Sequence, residues 1–381
     1  MNKYKVAFAT GSRADYGIVR NYLSKLNADS EVIFSVLTTG ALLSDEFGSA
    51  VKIIEQDGFR IDYKDVIPQK MGSLHATCHI MAQTLDDFSQ FFSEHKYDLL
   101  IILGDRYEIY SVSIAAAMHR IPILHLHGGE LTAANYDEFI RHSITKMATW
   151  HITSTEEYRK RVIQLGEQPS NVYNLGSLGA ENCLHIEMAN VPSELLKFHN
   201  SFVVLFHPET LNKLSPLNQV KKILMAVEPY TNDYNFIFIG SNADTHADQI
   251  TSSVKQFCDI HEKCHFYSNL HPDGYHFIVK SSIALIGNSS SGIIEVPSLG
   301  TFTINIGDRQ TGRVKSSSII DVRCDAKEIK DAINYTIQHK EEHVTDTPYY
   351  KENSALLYYN VTKEILHSKK QQYKIFYDIK R

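Results

Sequence analysis

Leu99-Leu100-Ile101-Ile102-Leu103-Gly104-Asp105-Arg106-Tyr107-Glu108 begins with five apolar residues in succession, stops at a glycine and runs into a segment of helical period that reaches His119. An unbroken apolar run closed by Gly reads as a strand buried on both faces, and a helix directly after it marks a βα unit of a parallel sheet. The alternation spreads outward from there. Strands are expected at Lys5–Thr10, Val32–Thr38, Leu99–Gly104, Ile123–His127, Trp150–Ser154 and Val172–Leu175, with helices over Ser44–Asp57, Ala76–Glu94, Glu108–His119 and Thr155–Leu165. The pattern loosens over Ser177–Asn200, which reads as an inter-domain linker. It resumes with strands at Phe202–Phe206, Asn235–Gly240, Ile283–Gly287 and Phe302–Ile306 and helices near Gln219–Glu228, Gln249–Cys258 and Ile293–Leu299. Helical segments at Ala326–His339 and Ser354–His367 precede a tail carrying Lys369, Lys370, Lys374, Lys380 and Arg381.

The fold class is therefore α/β, with two Rossmann-like doubly wound domains facing a central cleft. Residues 1–176 form the N-terminal domain, 177–353 the C-terminal one, and the closing segment, about 354–381, packs back on the first. Ligands of such sheets bind at the carboxyl ends of the strands, so polar residues just after a strand are the candidates for chemistry.

Composition narrows the function. The 381 residues are enough for two domains, and 43% hydrophobic against 22% charged residues is the balance of a globular chain. With 38 Lys+Arg against 44 Asp+Glu, the net charge of −6 argues against a nucleic-acid partner, which would need a basic face. No run is long and apolar enough for a membrane span, and the N-terminus reads as a strand rather than a signal peptide, so a cytoplasmic location is expected. The cysteines Cys78, Cys183, Cys258, Cys264 and Cys324 are odd in number and without ligand spacing, and are expected to be reduced core thiols.

One set of motifs suits an anion. Gly287-Asn288-Ser289-Ser290-Ser291-Gly292 follows a strand and precedes a helix bearing Glu295; small residues admit an anion close to the backbone, and N–H groups and Ser hydroxyls can hold phosphate oxygens. Six small residues exceed what a helix cap requires. Glu295 can receive ribose hydroxyls or simply favour the helix dipole. Thr10-Gly11-Ser12-Arg13-Ala14-Asp15-Tyr16-Gly17 lacks G-x-G-x-x-G spacing, so it is no dinucleotide loop; Arg13 can fork onto a phosphate or pair with Asp15. Gly307-Asp308-Arg309-Gln310-Thr311-Gly312-Arg313 adds two guanidiniums on another post-strand loop, and three such arginines suggest a diphosphate. After Phe202–Phe206, His207-Pro208-Glu209 is the second domain's counterpart, and Ser241 and Asn242 can contact a base or sugar or cap the next helix. No Walker A sequence and no Asp-x-Asp pair follows a strand, so no metal or other cofactor is expected.

A second set suits proton transfer. Asp105 and Arg106 close one strand, His125-Leu126-His127-Gly128-Gly129-Glu130 closes the next, and Asp137 and Glu138 open a helix. Period-two geometry sends His125 and His127 to one face. Carboxylates and imidazoles from successive loops can supply an acid, a base and their orienting partners. Asp137 and Glu138 also suit an ordinary first helical turn, and His125 a core histidine; His-x-His does not by itself close a metal ligand set.

Together, Gly11–Gly17, Gly104-Asp105-Arg106, His125–Glu130, Ile140-Arg141-His142-Ser143-Ile144-Thr145-Lys146, Phe206-His207-Pro208, Gly287–Gly292 and Gly307–Arg313 resemble the hydrolysing UDP-N-acetylglucosamine 2-epimerases, in particular the NeuC type of bacterial sialic-acid biosynthesis. The motifs keep their order over nearly the whole chain. The resemblance implies the glycosyltransferase-B architecture, a homo-oligomer (dimer or tetramer), and conversion of UDP-N-acetylglucosamine and water to N-acetylmannosamine and UDP through 2-acetamidoglucal. It implies nucleotide or phosphate contacts from Arg13, His207, Ser289, Ser290, Glu295, Arg309 and Arg313, and Arg106, Ser241, Asn242, Ser291 and Gly292 on the same post-strand loops complete the expected substrate site. Catalytic roles fall to Asp105, His127, Glu130 and Asp137, with Glu138 as the alternative one residue on. Many relatives have Glu where this chain has His127, so either His127 or Glu130 takes that role. Enzymes acting on nucleotide-activated N,N'-diacetylbacillosamine share the His-x-His-Gly-Gly-Glu form, which makes that sugar the second candidate. A glycosyltransferase of the same architecture, or a nucleotide-sugar sensor without catalysis, are the rival functions; a sensor would not need Asp105, Glu130 and Asp137 together.

Overall fold

In a computed structural model, residues 3–43, 51–67, 74–132, 136–207, 209, 214–240, 247–342, 346–368 and 374–379 are described. The chain divides into two compact units, Met1–Glu130 with Asn135–Leu178 and Lys351–Arg381, and Leu131–Ala134 with Gly179–Tyr350.

The first unit is built on seven strands, β1 (Tyr4–Thr10), β2 (Val32–Thr38), β3 (Ile61–Lys64), β4 (Leu99–Leu103), β5 (Ile123–Leu126), β6 (Trp150–Thr153) and β7 (Val172–Asn174). All pair parallel in the order β3-β2-β1-β4-β5-β6-β7. Alternate residues feed opposite layers. Val6, Phe8, Leu99, Ile101 and Leu103 join Tyr22, Leu23 and the closing helix Ser354–His367 through Tyr358 and Ile365. Ala7, Ala9, Leu100 and Ile102 face Phe88, Phe92 and Val112 of the helices Leu74–Glu94 and Tyr107–Met118. This period of two, apolar on both sides, is why the central strands read as unbroken apolar runs.

The second unit repeats the scheme with β8 (Ser201–Leu205), β9 (Asn235–Ile239), β10 (Cys264–Tyr267), β11 (Ala284–Gly287), β12 (Phe302–Ile306) and β13 (Ile319–Val322), ordered β10-β9-β8-β11-β12-β13 and again all parallel. Each sheet therefore reverses its winding once, between β1 and β4 and between β8 and β11, and that reversal opens the crevice where doubly wound sheets hold ligands.

Several sequence expectations need correction. The short edge strands β3, β10 and β13 and the helices Arg13–Asn27 and Pro272–Lys280 add to the expected elements. The stretch Arg13–Gly17 is helix, not loop: Ser12 caps it, its hydroxyl accepting from the Asp15 N–H at 3.1 Å. The expected helix Ile293–Leu299 is a single turn, Ser291–Ile294, followed by a 3₁₀ turn, Val296–Leu299, because Pro297 cannot donate to a continuing helix. Ser177–Asn200 is not loose; Cys183, Val191 and Leu195 pack with Val203 and Leu285. The cysteines carry no disulfide, but Cys78 is exposed rather than in the core. Of the expected helix Ser44–Asp57, the described part is Val51–Gln56. No described helix is long and apolar enough to cross a membrane.

Candidate active site

At the winding reversal of the first unit, β4 ends at Gly104, whose φ of +78° turns the chain so that Asp105 leaves the sheet edge. The carboxylate of Asp105 accepts from Nη2 of Arg141, and Nη1 of the same guanidinium donates to the Glu130 carbonyl at 2.8 Å. Arg141 projects from the helix Asp137–Met147 and is 3% exposed. A planar, permanently charged fork is the side chain that can hold two acceptors from two loops at once. Glu130 is itself buried and accepts from the Ser154 hydroxyl at 2.8 Å.

His125 and His127 do not share a face. β5 ends at Leu126, and His127 has φ of +62°, a left-handed conformation that a non-glycine residue adopts only under constraint. The twist carries the His127 ring to within 3.5 Å of the Glu130 carboxylate. His125 points into the core, where Nε2–H donates to the Gly104 carbonyl at 2.8 Å and Nδ1 accepts from the Thr145 hydroxyl at 3.2 Å. Burial pushes its pKa down to about 3, so it is a neutral strut behind Asp105. This is the core histidine of the two sequence readings.

Asp137 and Glu138 both lie in the first turn of Asp137–Met147, and helical phase separates them. Glu138 faces His142, with Oε1 3.2 Å from Nε2. Asp137 lies four residues before Arg141, on the stripe of the helix that meets Asp105. Arg106 donates to the fully buried Glu108. Asp15, an alternative partner for Arg13 in the sequence, has its carboxyl pushed up by burial, opposed chiefly by the charge of Arg106. Arg13 is exposed at the first position of its helix.

At the reversal of the second unit, β11 ends in Gly287, where a Cβ would lie 1.8 Å from the Leu205 carbonyl oxygen. Only glycine fits. Asn288, fully buried, exchanges two hydrogen bonds of 2.8 Å with the main chain of His207. Its own carbonyl accepts from Arg309 Nη1 at 3.1 Å and Gln310 Nε2 at 2.8 Å. His207, Arg309 and the turn Gly287–Gly292 are thus bracketed to one another. The hydroxyl of Ser291 lies 3.0 Å from that of Ser289 and 2.6 Å from that of Tyr275, while Ser290 sits at the head of the short helix. Gly292 lets that turn close on the sheet, since a Cβ would meet Thr303 at 2.8 Å. Glu295 pairs with His276, 3.1 Å away. The Nε of Arg313 donates to the Leu131 carbonyl at 3.3 Å. Glu209 braces the neighbouring loop, its Oε1 accepting from the N–H groups of Asp308 and Arg309, both at 2.9 Å. Ser241 and Asn242 lie outside the described residues.

The sequence assigned no role at the site to Ser154, Tyr275 or His276, and carried Arg141, Asn288 and Gln310 only as members of longer motifs. The first unit thus offers the Asp105 carboxylate and the main chain of Glu130 tied by one guanidinium, with the His127 ring beside the Glu130 carboxylate. The second offers a glycine turn with linked serine hydroxyls beside an arginine, the equipment for an anion.

Comparison with known proteins gives a consistent result. Residues 24–361 match the family model described as UDP-N-acetylglucosamine 2-epimerase. The chain is 48% identical to the polysialic acid biosynthesis protein P7 of Escherichia coli, over 98% of this chain and 97% of that one. It is 36% identical to the GDP/UDP-N,N'-diacetylbacillosamine 2-epimerase (hydrolyzing) of Campylobacter jejuni, over 84% of this chain and 85% of that one. In fold it is similar to the UDP-GlcNAc 2-epimerase of Neisseria meningitidis crystallised with UDP-GlcNAc, with a TM-score of 0.78 at 15% identity, covering 94% of this chain and 100% of that one.

Proposed function

The chain belongs to the UDP-N-acetylglucosamine 2-epimerase family, and from that premise we propose that it is a cytoplasmic enzyme of the hydrolysing kind. It takes UDP-N-acetylglucosamine and water to N-acetylmannosamine and UDP, the entry to sialic-acid synthesis. The observation that carries this reading is the single guanidinium of Arg141, which draws the Asp105 carboxylate and the main chain of Glu130 to one place.

The chemistry sets two demands. The hydrogen on C2 of the sugar is not next to a carbonyl and is barely acidic, so departure of the diphosphate must carry much of the barrier. Stabilising the leaving charge falls to Arg309 and the Ser289 and Ser290 hydroxyls at the Gly287–Gly292 turn, with Arg13 as a further cation and Glu295 receiving ribose hydroxyls. The C2 proton then passes to a carboxylate as the C1–O bond to UDP breaks, leaving 2-acetamidoglucal. Water adds its hydroxyl to C1, and C2 receives a proton on the opposite face, giving the manno configuration. Asp105, Glu130, His127 and Asp137 perform these transfers; the pairing of Glu138 with His142 favours Asp137 over its neighbour.

Polysialic acid synthesis in the 48% identical relative supports the sialic-acid assignment. A second reading, the same reaction on a nucleotide-linked N,N'-diacetylbacillosamine, is favoured by the name of the 36% identical relative. NMR of the purified protein with UDP-N-acetylglucosamine in D2O tests both. UDP together with C2-deuterated N-acetylmannosamine is the expected result. Formation of UDP-N-acetylmannosamine would overturn hydrolysis, and consumption of the bacillosamine nucleotide alone would reassign the substrate.

A further inference from the structure

The helix Asp137–Met147 carries Arg141 near its middle, and its C-terminal end is held from far away in the chain. Nζ of Lys374, in the C-terminal tail, donates to three main-chain carbonyls there, Thr145 at 3.0 Å, Lys146 at 2.8 Å and Ala148 at 2.6 Å. It also meets the Glu167 carboxylate at 2.7 Å. Glu167 is 2% exposed and is shared with Lys146 at 2.6 Å and with Nε2–H of the buried His151 at 3.1 Å. A helix ends in carbonyls without intrahelical partners, and a cation placed on them both satisfies those oxygens and opposes the dipole. The ammonium of Lys374 does both at once.

The tail around it is seated. The Tyr377 N–H donates to the Gly166 carbonyl at 2.8 Å, and Phe376 lies so close over Gly166 that a Cβ there would come within 2.2 Å of its ring. The Lys146 ammonium stands 4.9 Å from the same ring.

From the clamped end, two short paths lead to Asp105. Thr145, whose carbonyl Lys374 holds, donates its hydroxyl to His125, and His125 donates to the Gly104 carbonyl, the residue before Asp105. One turn along the helix, Arg141 grips the Asp105 carboxylate directly.

We propose that Lys374 is a positioning residue for the reaction: by pinning the C-terminal end of the helix Asp137–Met147, the tail fixes where Arg141 and His125 hold Asp105. This rests on the reading of Asp105 as a group that handles protons in the reaction.

The test uses the 381-residue chain with Lys374→Met, which keeps most of the side chain's length and removes the charge and the donors. The expected result is a fall of tenfold or more in kcat/KM with an acidic limb that moves to higher pH, because a guanidinium drawn away from a carboxylate favours its protonated form. UDP affinity stays within twofold. A residue that merely stabilises the fold would scale the whole profile down and leave the limb in place, and that outcome overturns the proposal. So does turnover within twofold of wild type. A second arm is independent of the reaction: amide exchange over residues 141–148 is expected to quicken at least tenfold in Lys374→Met while β1 and β4 stay protected, and unchanged exchange removes the clamp. If wild-type protein turned over neither sugar nucleotide, the reading of the reaction would fall, and the exchange arm alone would decide whether the clamp exists.

Discussion

Replacing Arg141 by methionine removes a side chain that bonds both to Asp105 and to the main chain of Glu130. The side chain of Arg141 is 4% exposed and that of Asp105 19%, so the pair is largely dry but the carboxylate keeps one edge toward water. Stripping one partner from a buried pair costs about 3–5 kcal/mol, and the residual hydration of Asp105 brings the expected loss below that range, to ~2–3 kcal/mol. For a unit of roughly 200 residues that lowers the melting temperature by about 4–12 °C. If the same interaction holds Asp105 in its reacting position, kcat/KM falls by about 30- to 150-fold, at ~1.4 kcal/mol per factor of ten. A double-mutant cycle with Asp105→Asn separates the pair from its surroundings. Urea unfolding and UDP release are measured on the wild type, both single variants and the double variant. Because each single change already breaks the same contact, the effects should fall short of additivity by ~1.5–3 kcal/mol. Additivity within ~0.5 kcal/mol, or Arg141→Met with turnover within twofold of wild type, would refute the reasoning.

Gly287→Ala should destabilise the second unit by ~4 kcal/mol or more, since its Cβ would stand 1.8 Å from the Leu205 oxygen at φ of +151°; a melting temperature within 2 °C of wild type, by calorimetry, would contradict the close approach of β8 and β11. Arg309→Ala should raise the UDP dissociation constant by roughly tenfold or more, as loss of a charge-assisted contact does, with the fold intact by circular dichroism; an unchanged constant by titration calorimetry would show that the guanidinium serves another purpose. His125, pushed down to about 3 by burial, lies below the ordinary value near 6.5, so the folded state binds fewer protons than the unfolded chain between those limits. Its contribution is fully present above about pH 6.5 and is lost as pH falls from there toward 3, at ~1.4 kcal/mol per unit. The imidazole resonance of His125 should therefore stay fixed from pH 8 to 5; titration near 6.5 would mean the ring is not the neutral strut the hydrogen bonds require.

The sheets were legible where both faces are covered and less so at their margins, where β7 was read and three other edge strands were not. Central strands such as β4 and β11 are apolar at every position, whereas β3, β10 and β13 are edge strands whose residues are mostly half-buried, so their sequences mix Asp, Lys and His with apolar residues and lose the signal. Tyr275 and His276 were missed with the helix that bears them. Arg141 was hidden differently: a lone arginine in a helix reads as solvated, yet Ile140, Ile144 and Thr145 around it are all buried. A charge on the apolar stripe was the available clue. His127 could not be placed from the strand period because the period ends one residue earlier, where the backbone turns left-handed. The Gly287–Gly292 turn was legible as a whole, but nothing in the sequence marks the carboxamide of Asn288 as the bracket between two loops that it is.

That bracket limits how the molecule can change over generations. Gly287 has no room for a side chain, and Asn288 spends its amide group and its carbonyl on three neighbours. Almost any substitution there would damage the framework before it altered what the turn recognises. Descendants of this chain that acquire a taste for a different sugar must find it at positions the framework leaves at liberty, so divergence in substrate is expected to leave the turn untouched and accumulate around it.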